Sequence, residues 1–253
     1  MRRKAKPKKP YTILSSISDN NKSFSPEQYS PVNESTSTNL DIQIVEPTFK
    51  EAFQDYRTFY IWVMIVFSSS YPYFIASNFK TYEQRDIHDD RFITLVGSLG
   101  AIVNGLSRSF WATLLDFFGF KIVFMSLLVM EISVAFTFVL IHEIRELYLI
   151  WVLISFSTLG GHFSIFPTLC ARIYGPSMGG KVFTFIFTGF ALATLVNWLL
   201  SKQTSAGNIK YDILFYILGS MGIVALILAF FFNEKTKVMN LDSSTIKKRK
   251  HNK

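Results

Sequence analysis

The stretch that decides how this chain is read is Asn104-Gly105-Leu106-Ser107-Arg108-Ser109-Phe110-Trp111-Ala112-Thr113-Leu114-Leu115-Asp116-Phe117-Phe118-Gly119-Phe120-Lys121. It joins two long apolar runs and sets an arginine about one turn inside the end of the first. A short turn follows, built as Asp-x-x-Gly-x-Lys. A charge at hydrocarbon depth is costly and is kept where it has a use, so function is sought here first.

Working outward, the apolar residues clump into runs at 59–77, 92–111, 122–141, 147–169, 182–200 and 213–232. Each has about the 20 residues that an α-helix needs to cross a bilayer. The chain is 49% hydrophobic and only 17% charged, below the roughly one quarter of charged residues in soluble domains. Only helices or closed barrels satisfy their backbone in lipid. These runs are continuously apolar and do not alternate, which excludes a β-barrel. The expected fold is an all-α membrane protein with six transmembrane helices in one bundle. A basic, polar tail over 1–56 precedes the 57–232 bundle, and a basic tail over 233–253 follows it.

The net charge of +8 is a matter of topology, not of nucleic acid. With six spans both tails share a side, which carries 20 of the Lys and Arg residues against 6 on the other. The positive-inside rule puts that side, with both termini, in the cytoplasm. The N-terminal Arg2-Arg3-Lys4 cluster lacks the apolar core of a signal peptide. The Ser-, Asn- and Pro-rich residues behind it read as a disordered tail. A single cysteine, Cys170, excludes an intrachain disulfide. No metal-ligand spacing, nucleophile elbow, phosphate loop or dinucleotide fingerprint is present, so neither an enzyme nor a cofactor is expected.

The connections divide the spans three and three, separated only by the short His142–Glu146 turn. Three spans followed by three of opposite direction is the inverted-repeat arrangement of many secondary transporters. Within the spans a few polar groups stand out. Glu131 sits at the middle of its run, where a carboxylate is paired, cavity-facing or protonated. It is a candidate for proton coupling or a neutral acid packed against the next helix. His162 lies near mid-span beside Gly160 and Gly161, and suits proton-linked chemistry or a hydrogen-bonded helix contact. Ser68-Ser69-Ser70-Tyr71-Pro72-Tyr73 either lines a cavity, with Ser69 and Tyr71 as substrate candidates, or forms a kink whose hydroxyls bond backbone. Asn197 and Trp198 read as an interfacial anchor.

The Ser107–Lys121 segment resembles the loop signature of the major facilitator superfamily, commonly Gly-x-x-x-Asp-Arg-x-Gly-Arg-Lys. It is closer to the form after the eighth helix of oxalate/formate-antiporter-like and monocarboxylate-transporter-like members, Gly-Arg-x-x-Trp-Gly-x-x-x-Asp-x-x-Gly. Arg108, Trp111, Asp116, Gly119 and Lys121 match; Ser107, Ala112 and Phe117 depart from it. Gly160-Gly161 with Pro167 and Tyr174-Gly175 are similar to the tenth helix of the same group, and Gly180-Lys181-Val182-Phe183 to the start of the next.

These matches correspond to the second half of a family whose members usually have twelve helices. The resemblance implies a transporter, or half of one, for small organic anions such as mono- or dicarboxylates, exchanged or moved with protons by alternating access. It implies Arg108 as the carboxylate-binding residue, with snorkelling or pairing to Asp116 as the other reading. It also implies Asp116, Gly119 and Lys121 as a conformational latch. A second copy of the chain, or a separate N-terminal half, would then be needed as a partner within the lipid bilayer. The other reading is a non-transporting six-helix protein, a scaffold or regulatory subunit.

Overall fold

A computed structural model of the chain describes residues 44–45, 47–83, 89–141, 144–233 and 239–240. Most of the N-terminal tail, the loop at 84–88, residues 142–143 and most of the C-terminal tail lie outside the described residues. The elements are β1 (Ile44–Val45), α1 (Phe49–Phe53), α2 (Tyr56–Glu83), α3 (Asp90–Phe118), α4 (Phe120–Ile141), α5 (Arg145–Tyr174), α6 (Pro176–Ile186), α7 (Thr188–Ser205), α8 (Tyr211–Phe231) and β2 (Met239–Asn240). β1 and β2 form one short antiparallel pair. Helix α1 falls inside the stretch expected as a tail. A capping box between Thr48 and Glu51 sets it, and its Ala52 is buried.

Among the described residues, five helical segments are long and apolar enough to cross a membrane: α2, α4, α5, α6 continuing into α7, and α8. That is one fewer than the six expected from the sequence. Helix α3 has the length, at 29 residues. Its glycines and serines, with Asn104 and Arg108, dilute its apolar character.

Several helix contacts correspond when the first three long helices are exchanged with the last three, whereas the contact of α5 with α6 has no counterpart of like extent between α2 and α3. Helix α3 packs on α5, and α7 packs on α2; α4 also packs on α5, and α8 on α2. The contacts α2 with α5 and α4 with α8 are their own counterparts under that exchange.

Helices α3 and α5 run side by side and end alike. Gly119, at φ 77°, and Gly175, at φ 91°, each stop a helix by returning an N–H to the carbonyl four residues back, Leu115 and Ala171. With ψ near 165° these are conformations open in practice to glycine alone. Further along, α3 lies so close to α5 that a Cβ on Gly160 would stand 2.1 Å from Ser107 Oγ and 2.5 Å from the Asn104 carbonyl. Trp111 Nε1 donates to the Ser157 carbonyl at 3.0 Å, and Asn104 Nδ2 to the Phe156 carbonyl at 3.1 Å. The polar residues that lower α3's hydropathy therefore hold it against α5.

Asn197, expected at the interface, is buried and donates its Nδ2 to the Ser70 carbonyl at 2.7 Å. It joins α7 to α2 from within, while its neighbour Trp198 is exposed.

Candidate functional site

Helix α5 presents two adjacent residues to different surroundings, because successive side chains on a helix point about 100° apart. Phe163 turns to an open face and His162 to the interior.

On the open face, Arg108 is exposed. Its guanidinium carbon lies 4.8 Å from the centre of the Phe163 ring, and its Nη2 donates to Asn104 Oδ1 at 3.3 Å. Phe163 stacks on Phe190 of α7 at 5.3 Å, and Tyr73 of α2 meets both rings at 6.2 and 5.4 Å. Arg108 also acts electrostatically on the Tyr73 hydroxyl. The arginine thus rests on an aromatic shelf drawn from α2, α5 and α7. A guanidinium held by ring stacking and one hydrogen bond keeps most of its donors free for a planar oxyanion. Tyr73 was not singled out from the sequence; its spacing from Pro72 marks it only as part of a break.

Ser69 and Tyr71 do not join this face. Both are buried. Ser69 Oγ donates to the Ile65 carbonyl at 2.6 Å, and the Tyr71 hydroxyl bonds Ser155 Oγ at 3.0 Å. Ser70 likewise bonds the Val66 carbonyl at 2.7 Å. The serine run bonds α2's own backbone around Pro72, and the helix continues through the proline.

On the interior side, His162 and Glu131 meet. His162 Nε2 lies 3.9 Å from Glu131 Oε2, and the side chains are 0% and 1% exposed. His162 Nδ1 lies 2.8 Å from the Thr158 carbonyl, so Nδ1 carries a hydrogen and donates it. Phe124 and Phe166 cover the ring. Sequence reading singled out each residue separately; the structure brings them together across α4 and α5.

The expected latch residues separate. Asp116 pairs with Arg172 of α5, Oδ1 to Nη2, at 2.8 Å, and the same Nη2 donates to the Leu115 carbonyl at 3.3 Å. Lys121 instead lies over the Phe230 ring at 4.9 Å. Asp116 and Arg172 each stand three residues before the terminal glycine of their helix, so the parallel ends of α3 and α5 face in register. Arg172 closes that register. At the other end Arg145 bonds Asp89, the N-cap of α3, and lies over the Phe92 ring at 4.1 Å. The Phe92 N–H foremost, then Arg145, hold the Asp89 carboxyl below its ordinary range.

Among the described residues no group of three His, Cys, Asp or Glu could hold a metal ion. A shallow concavity at the α7–α8 turn, lined by Thr204, Gly207, Lys210 and Asp212, includes none of the residues above.

The Major Facilitator Superfamily model matches residues 58–250, the whole helical bundle. The chain belongs to the major facilitator superfamily. Among curated proteins it is similar to Apicoplast pyruvate carrier 1 of Toxoplasma gondii, at 32% identity over 128 residues. That match covers 50% of the chain and 23% of the relative, so the chain spans only about a quarter of that protein where the two align. Members of the superfamily are membrane transporters, and the family together with the long apolar helices makes the chain an integral, multi-pass membrane protein.

Proposed function

We propose that the chain forms a six-helix bundle of a secondary transporter for small organic anions, mono- or dicarboxylates, moved by alternating access. Helix α3 is the sixth span in this reading, and both termini lie in the cytoplasm. The observation that carries it is Arg108, an exposed guanidinium on an aromatic shelf at the face where α2, α3, α5 and α7 meet. The name of the similar relative, a pyruvate carrier, supports a carboxylate as cargo. The shelf supplies one wall; a second copy of this chain or a partner half supplies the other, with the anion between them. Asp116–Arg172 and Gly119 fix the end of α3 that such a motion would use as a lever, and Lys121 flanks it.

Reconstitution into liposomes tests this directly. Labelled pyruvate or a dicarboxylate exchanges across vesicles that carry the chain, and Arg108→Lys lowers exchange about ten- to a hundredfold. That range matches the roughly 1.5–3 kcal/mol of hydrogen bonds to a charged group. Exchange unaffected by Arg108→Lys removes Arg108 from the site. Absence of exchange for every carboxylate tried, in vesicles where crosslinking shows paired bundles, favours the non-transporting reading. Termini labelled from outside intact cells would overturn the orientation.

A further inference from the structure

The Glu131–His162 pair is more than a satisfied buried contact. Both Glu131 oxygens and His162 Nε2 are buried and lack a hydrogen-bond partner. Because Nδ1 spends its hydrogen on the Thr158 carbonyl, the neutral ring turns a bare lone pair, Nε2, toward Glu131. Three acceptor atoms therefore meet across α4 and α5, the two Glu131 oxygens and His162 Nε2, with no donor among them. Such an arrangement costs several kcal/mol unless a proton is supplied.

The surroundings offer no other compensation. The buried Tyr71 of α2 has its hydroxyl bonded to Ser155. The described Lys and Arg side chains of α2, α3, α5 and α6 are exposed, apart from Arg57, which lies against Asp55. On α8 the ionisable residues, Tyr211, Asp212 and Tyr216, stand in its first two turns.

We infer that Glu131 and His162 form a binding site for one proton, set on the opposite side of α5 from the Arg108 shelf. In the packing seen here the proton sits on Glu131 and is directed at His162 Nε2, which keeps the pair neutral. Loss of that proton breaks the Glu131 O–H bond and leaves a buried carboxylate beside a neutral imidazole. The closed packing of α2, α4 and α5 tolerates that charge only if water enters between them. Proton release is thereby tied to movement of these helices. This builds on the proposed transport function: the proton site and the anion site share α5 as common wall, through adjacent residues.

Infrared difference spectroscopy of the purified chain in lipid, wild type against Glu131→Gln, tests the site without requiring transport. The expected result at neutral pH is an un-ionised carboxyl stretch that Glu131→Gln removes, that shifts on deuteration and that moves in His162→Gln. No such band, or one indifferent to His162, overturns the proton site. In vesicles, an inward gradient of one pH unit drives up to about tenfold accumulation of the anion for one proton carried per anion. In Glu131→Gln, the ratio of gradient-driven accumulation to exchange falls. A ratio equal to wild type, or accumulation driven by sodium and indifferent to pH, overturns the coupling. Loss of all exchange in the wild type, with the carboxyl band present, defeats the transport reading and leaves the proton site standing.

Discussion

Arg108 and Glu131 are both charges in apolar helices, yet the bundle treats them oppositely. Arg108 is exposed, stacked on Phe163 and bonded to one amide, with donors to spare. Glu131 is sealed under α5 with His162 and aromatic rings, and its oxygens lack partners. The first is cheap to hold and free to bind; the second is expensive and specific about its protonation. What separates them is one residue step along α5, from Phe163 to His162. A single helix can therefore carry an open anion site on one side and a closed titratable pair on the other.

Stability measurements should divide the two regions sharply. His162→Leu leaves Glu131 buried without a partner. It should cost about 3 kcal/mol, between the penalty for an unsatisfied polar group and that for an unpaired charge. Adding Glu131→Leu should recover most of the loss, because apolar side chains replace buried ion pairs without net penalty. Arg108→Gln should move stability by no more than about 0.5 kcal/mol, as expected for an exposed position. Thermal unfolding in detergent reads all three. A double variant no more stable than His162→Leu would mean that the two residues are not coupled.

Both regions depend on the register between α3 and α5, and the register depends on where those helices stop. Gly119→Ala forces a Cβ into a glycine-only conformation and should cost about 1–3 kcal/mol. The added methyl would meet no atom within 4 Å, so the loss would come from backbone strain alone. Gly105→Ala is the matched control. It is helical, equally free of contacts, and should stabilise by up to about 1 kcal/mol. Equal melting temperatures for the two variants would show that the turn at Gly119 does not fix the helix end.

Much of this was legible in the sequence, for identifiable reasons. Apolar runs about 20 residues long announce helices in lipid, since no other local structure satisfies the backbone there. The Asp116-x-x-Gly119 spacing announced the turn, and Arg108 stood out because charges inside such runs are rare. Helix α3 was harder to classify by hydropathy, because Asn104 and its glycines and serines serve helix contact and lower the apolar average together. Partners were not legible. Asp116 pairs with Arg172 and not with Arg108 or Lys121, because the parallel ends of α3 and α5 align residues 56 positions apart. Tyr71 and Ser69 were drawn toward a cavity by their polarity, whereas α2 turns them inward to bond Ser155 and its own carbonyls. Glu131 and His162 were each visible, but their meeting depends on how α4 and α5 pack, which no single-helix periodicity encodes.

The smallest effect lies at the far end of the same helix pair, where Asp89 caps α3 and binds Arg145 of α5. The folded chain holds the Asp89 carboxyl below its ordinary range, so the unfolded chain takes up that proton first as pH falls. The stabilisation is therefore complete above the usual carboxylate range and is lost as pH drops through the lowered folded value. Asp89→Asn keeps an adequate N-cap and removes the charge. Wild type should melt slightly above Asp89→Asn at neutral pH, and the gap should close on acidification below the usual carboxylate range. A gap that instead widens as pH falls would show that Asp89 is not held as a carboxylate by Arg145 and the α3 N-terminus. The α3–α5 register would then rest on the Asp116–Arg172 end and the Gly160 contact alone.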